Sequence, residues 1–143
     1  MPMLDAYIPR GALTETAEAN LLATLTDLLI HNEGMDPADP LVRSLCWIFL
    51  HRSETVYVAG AVSAPPRYKF VASVPEGQFN SERRQAVVAS ITAAVLDAEN
   101  GAYAREPQRI WVFTPEIPDG TWGFGGQIGT LADLQAGRVG RPG

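Results

Sequence analysis

The sequence repeats itself at a fixed offset. Ala6-Tyr7-Ile8-Pro9-Arg10-Gly11 is echoed 66 residues later by Ala72-Ser73-Val74-Pro75-Glu76-Gly77. The register then holds: Thr14 meets Asn80, Leu21 meets Val87, Leu25 meets Ile91 and Leu29 meets Val95. A repeat of this length is one supersecondary unit used twice, so whatever the first half folds into, the second must match.

Each half contains one amphipathic helix. Apolar residues fall at 21, 25, 28 and 29 in the first and at 87, 88, 91, 94 and 95 in the second, the spacing that places them on one face. Thr14 and Asn80 are both good N-cap types. Runs rich in aromatic and aliphatic residues precede each helix, Met3 to Ile8 and Tyr68 to Val74, and follow it, Leu45 to Leu50 and Ile110 to Phe113. Each half therefore reads as a βαβ unit. The second strands match as Trp47-Ile48-Phe49 against Trp111-Val112-Phe113. Both halves end in similar elements, Val56 to Gly60 and Thr121 to Gly126. The fold class is α+β: two fused βαβ repeats forming a four-stranded mixed sheet with two helices on one face. The other face then needs a cover, and further subunits are the economical one. The chain is read as a single domain, 1–143, with repeat one at 2–62, a linker at 63–66, repeat two at 67–130 and a frayed tail at 137–143.

Composition narrows the function. The 143 residues, 46% of them hydrophobic, suit one domain with a real core. A net charge of −5 lacks the clustered cations that a phosphate backbone requires, so nucleic acid is not an expected partner. The single cysteine, Cys46, sits in the apolar run Leu45-Cys46-Trp47-Ile48-Phe49 and reads as a small core residue. With only His31 and His51 beside it, no ordinary zinc site is expected, and no metal or other cofactor. The start Met1-Pro2-Met3-Leu4-Asp5 has neither a basic leader nor a long apolar stretch, which predicts no signal peptide, no membrane partner and a cytoplasmic location. Removal of Met1 ahead of the small residue Pro2 would leave a free secondary amine at the start of the chain.

Met1-Pro2, the Ile8-Pro9-Arg10-Gly11 turn and the stretch Asp119-Gly120-Thr121-Trp122-Gly123-Phe124-Gly125-Gly126, joined to the duplication, resemble the tautomerase superfamily over residues 2 to 130. The resemblance is to its fused double-βαβ members, related to 4-oxalocrotonate tautomerase and cis-3-chloroacrylic acid dehalogenase. It implies a homotrimeric, barrel-like assembly and a cofactor-free enzyme in which the Pro2 amine is the catalytic base. A model α-amino group has a pKa of roughly 7.7 to 8.0, and burial disfavours its charged form, so such a nitrogen can carry a proton between two positions of a substrate. The implied reaction is keto-enol tautomerisation of a small oxo or enol carboxylic acid.

The remaining candidates follow from that resemblance. An arginine of 4-oxalocrotonate tautomerase falls at Ala12, leaving Arg10 as the nearest carboxylate ligand. In the dehalogenase two arginines fall at Pro75 and Gln78, a tyrosine at Phe113 and a water-activating glutamate near Trp122. With these replaced, hydration, dehalogenation or decarboxylation of a three-carbon acid becomes the alternative rather than the first reading. A non-catalytic trimeric binding protein is a further alternative. His31 either hydrogen-bonds a substrate or complements the C-terminus of its helix. Arg67 and Lys69 flank Tyr68, the second repeat's counterpart of Pro2. The expected substrate-binding set is thus Arg10, His31, Gln78, Phe113 and Trp122. Trp47 and Trp111, equivalent in the two repeats, are expected in the core.

Overall fold

A computed structural model describes residues 2–138. The first repeat runs β1 (Met3–Tyr7), α1 (Glu15–Asn32), the short α2 (Pro40–Ser44), β2 (Trp47–His51), and a hairpin of β3 (Tyr57–Val58) and β4 (Ala61–Val62). The second runs β5 (Tyr68–Pro75), α3 (Ser81–Ala98), a 3-10 turn at Pro107–Arg109, β6 (Ile110–Phe113) and β7 (Glu116–Ile117). It ends in a hairpin of β8 (Trp122–Phe124) and β9 (Gln127–Gly129), followed by α4 (Leu131–Gln135).

The sheet order is β2-β1-β5-β6, with β7 extending the pairing of β5. β1 is parallel to β2 and β5 to β6, each pair bridged by its helix, while β1 and β5 meet antiparallel at the centre. In that central ladder Asp5 faces Val71, its own counterpart at the 66-residue offset, so a pseudo-twofold axis passes between them.

Side chains alternate across a strand. Leu4, Ala6 and Ile8 of the first repeat and Phe70, Ala72 and Val74 of the second point toward the helices and are fully buried. They meet Leu21, Leu25 and Leu29 of α1 and Val87, Ile91 and Val95 of α3, joined by Leu96 from the neighbouring helical row; Ile30 is also fully buried. Burying each such side chain contributes about 1.5–3 kcal/mol. The Thr14 and Asn80 side chains accept from the backbone N–H of Ala17 at 3.1 Å and of Arg83 at 2.8 Å, satisfying donors that each helix start leaves open.

Three expectations are corrected. Trp47 and Trp111 are not core residues: they are 56% and 66% exposed, on the sheet face opposite the helices. Strand parity is the reason, because Ile48, Ile110 and Val112 take the inward positions. Cys46 is half-buried, packed against the core rather than within it. β2 begins at Trp47 rather than Leu45 because Leu45 and Cys46 still donate to Val42 and Arg43 at the exit of α2. α4 is a further element, lying just past the expected end of repeat two. The predicted tail lies outside the described residues from residue 139 on, as does the predicted loss of Met1.

Candidate active site

Pro2 immediately precedes β1 and is fully buried. It continues the inward-facing series of Leu4 and Ala6, so its ring lies in the layer between sheet and helices. Its carbonyl accepts from the backbone N–H of Trp47 at 3.3 Å, which extends the parallel ladder and sets Cys46 alongside it.

A buried ionisable group that the sequence reading passed over stands at the end of α1. Glu33 caps the C-terminus of α1 and is only 4% exposed. Its backbone carbonyl accepts from Gln78 Nε2 at 3.1 Å. The carbonyl of Gln78 in turn accepts from Arg83 Nη1 at 3.1 Å. Arg83 crosses from α3 to the end of α1, where a Cβ built on Gly34 would sit 3.1 Å from its Nη2. Gly34 has φ +79°, a left-handed turn that lets the chain leave α1 directly after Glu33.

Burial is the chief influence on Glu33 and pushes its carboxyl up from the usual range, while the positive charges of the chain's amino terminus and of Arg83 pull it back. Cys46 is pushed up to about 11, by burial first and then by the negative charge of Glu33, with the amino terminus and Arg43 opposing. Glu33 and Cys46 therefore share one electrostatic environment, the charge of the first disfavouring the thiolate of the second.

Met35, Leu45, Trp122, Phe124 and Leu131 gather around Leu134 of α4. A Cβ at Gly77 would lie 3.2 Å from Leu131 Cδ2, so α4 rests against the turn carrying Gln78.

Of the residues expected from sequence, Pro2 is buried at the head of β1, Gln78 is buried against the end of α1, and Trp122 packs with Leu134. His31 is on the last turn of α1 but exposed. Arg10 is exposed beyond the far end of β1, with roughly 20 Å of extended chain between it and Pro2. Phe113 lies on the open sheet face, with Lys69 Nζ 5.8 Å from its ring and 5.1 Å from that of Tyr7. Glu33 was legible in principle, because Glu99 stands 66 residues later and caps α3 in the same way.

Two grooves among the described residues lie elsewhere. One, of about 620 Å³, runs between α1 and α3; the other, of about 530 Å³, opens beside Tyr7, Arg67, Lys69 and Trp111. Pro2 lines neither. Among the described residues, no group of three or more His, Cys, Asp or Glu is placed to hold a metal ion, and no helix is long and apolar enough to cross a membrane.

This is the fold of the tautomerase superfamily in its fused, double-βαβ form. A wild-type fused 4-OT called F6, an asymmetric trimer, is similar at 19% identity with a TM-score of 0.73, over 92% of this chain and 98% of that one. N1, a member of the cis-3-chloroacrylic acid dehalogenase family, matches at 16% identity and a TM-score of 0.76, over 98% of this chain and 92% of its own. Macrophage migration inhibitory factor of Toxoplasma gondii matches at 14% identity and a TM-score of 0.69, over 89% of this chain and 99% of its own. No protein-family model matches the sequence, and no curated protein matches it.

Proposed function

We propose that this chain is a cofactor-free keto-enol tautomerase of the tautomerase superfamily, acting in the cytoplasm on a small oxo or enol carboxylic acid, with Pro2 as the catalytic base after loss of Met1. The observation that carries the reading is the placement of Pro2: fully buried at the head of β1 and anchored to β2 through its carbonyl.

In this mechanism the Pro2 nitrogen takes the enol hydroxyl proton. The O–H electron pair forms the carbonyl, and the former C=C pair takes a proton from the Pro2 ammonium at carbon. The amine ends as it began, and no redox partner is needed. Rigid placement of the nitrogen at the head of a strand limits the motion needed between the two transfers.

The exposed row Trp47, Phe49, Trp111 and Phe113 supports a homotrimer in which the open sheet faces of three copies cover one another. F6 and other fused 4-OT structures are trimers. In such an assembly a neighbouring copy supplies what one chain keeps distant from Pro2, with Arg10 and Phe113 as the proposed contributions. Gln78, Trp122 and His31 complete the substrate-binding set from the same end of the chain.

A second reading rests on Glu33. A buried carboxyl at the end of α1, with Arg83 near it, offers a water-activating group to hydration, dehalogenation or decarboxylation of a three-carbon acid. The test is incubation with phenylenolpyruvate and 2-hydroxymuconate beside 3-chloroacrylate and malonate semialdehyde, scoring enol loss against halide or carbon dioxide release. Enol turnover alone supports the tautomerase; halide or carbon dioxide release without it favours the second reading.

A further inference from the structure

Most arginines of this acidic chain hold a carboxylate: Arg43, Arg52, Arg84, Arg105 and Arg109 each form an ion pair. Among the described residues Arg67 and Lys69 form none. Alternation along the chain puts these two on one side, with Tyr68 turned inward between them and buried. Arg67 is held by its Nε, which donates to the Ser63 hydroxyl at 3.1 Å. Ser63 is fixed in turn, donating its hydroxyl to the Pro65 carbonyl at 2.8 Å and its N–H to the Val56 carbonyl at 2.9 Å. Both terminal nitrogens of Arg67 are thereby left without an acceptor among the described residues. Lys69 Nζ rests over aromatic faces, 5.1 Å from the Tyr7 ring and 5.8 Å from that of Phe113, with no anion against it.

Both cations line the groove of about 530 Å³, a volume within the range of small-molecule sites. Tyr7, Lys69 and Trp111 make a row across three neighbouring strands, and the β3-β4 hairpin stands opposite with Val56 and the 68% exposed Tyr57. The nearby acids are engaged elsewhere: Asp5 accepts from His51 Nε2 at 2.7 Å, and Glu99 holds Arg109 and Tyr68. Glu54 lines an adjoining cleft together with Arg10 and Arg67, so three cations face one carboxylate here. The geometry points to a binding site for a planar aromatic carboxylate. The free fork of Arg67 and the Lys69 ammonium take the carboxylate, and Tyr7, Tyr57 and Trp111 take the ring. An anion without a ring would use the cations and leave three aromatic walls in water. Lys69 pairs with Tyr7, at the end of β1 away from Pro2, so within one chain this site and Pro2 are separate and the inference does not rest on the reading of Pro2.

The test is an NMR titration of the full chain, in its solution assembly, with benzoate, a planar carboxylate that has no enol or oxo group to turn over. Saturable shifts are expected at the Trp111 indole N–H and at the backbone N–H groups of Tyr57 and Lys69, and added salt should weaken the binding. Arg67→Gln with Lys69→Gln should weaken it by about tenfold or more, since charge-assisted bonds to the carboxylate are lost. Arg67 is half-buried and Lys69 exposed, so these changes leave the core intact. Benzamide, the ring without the charge, and inorganic phosphate, the charge without the ring, should both bind more weakly than benzoate. Absence of saturable shifts, shifts indifferent to Arg67 and Lys69, or phosphate binding as tightly as benzoate overturns the inference. Pro2→Ala should leave the benzoate affinity unchanged; a loss equal to that of the double variant puts the ligand at Pro2 and overturns the separate site. Because binding is read without turnover, failure here leaves the Pro2 reading standing, and failure of enol turnover leaves this site standing.

Discussion

Tyr68 donates its hydroxyl hydrogen to Glu99 at 2.9 Å, at the place in the second repeat that Pro2 holds in the first. Arg109, 1% exposed, clamps the same carboxylate and also donates to the backbone carbonyls of Pro66 and Ala104, both at 2.9 Å. Burial, followed by the hydrogen bond and the negative charge of Glu99, pushes the Tyr68 hydroxyl far above its usual range, so it stays neutral. In the second repeat Tyr68, Glu99 and Arg109 form a buried structural triad.

That triad gives the first prediction. Arg109→Met leaves the Glu99 carboxylate buried without its cation and two backbone carbonyls without their donor. It should destabilise the fold by about 3–5 kcal/mol, as removal of one partner from a buried ion pair does. Urea unfolding checks it. Adding Glu99→Gln should recover a large part of the loss, since the uncompensated charge is then gone.

Cys46 gives the second. With its thiol pushed up to about 11, the thiolate fraction at pH 8 falls on the order of a hundredfold below that of a free cysteine with pKa near 8.5. Carboxamidomethylation of folded protein should be slower by at least that factor, and its rate should climb with pH through about 11. The sign follows from the causes: burial and Glu33 both penalise the anion. Glu33→Gln should therefore speed the reaction at fixed pH, which intact-mass kinetics would detect.

The open sheet face gives the third. Trp111→Asp places a charge where the proposed trimer buries an indole. It forfeits about 2 kcal/mol of apolar burial in each protomer and adds the cost of desolvating a carboxylate. Sedimentation should show monomers in place of trimers, while circular dichroism stays unchanged because Trp111 lies outside the single-chain core. A variant that remains trimeric would remove the face from the interface.

Much of the fold could be read from the sequence because a duplicated pattern constrains itself. The 66-residue echo fixed both helices, their Thr14 and Asn80 caps and the four main strands, which needed only local periodicity. What could not be read depends on pairing. Trp47 looks like a core residue in isolation, and only the register Met3 to Trp47, with Ile48 inward, turns it to the open face. α4 is a single short turn whose identity comes from packing Leu134 against Trp122 and Met35, which no local pattern encodes. Of the expected site residues, Pro2 and Gln78 are buried and Trp122 packs with Leu134, while Arg10, His31 and Phe113 are exposed. Glu33 was overlooked because an acidic residue at a helix end ordinarily faces water; the matching Glu99 was the signal that it does not.

The central claim is that the Pro2 amine carries the proton. The direct measurement is the rate of enol loss from phenylenolpyruvate by wild-type protein and by Pro2→Ala, each shown by mass spectrometry to have lost Met1. Measurable turnover is expected in the wild type and a fall of about 10²-fold or more in the variant, the size of contribution typical of a positioned acid–base group. Equal rates in the two proteins, or no turnover in wild-type protein lacking Met1, would contradict it.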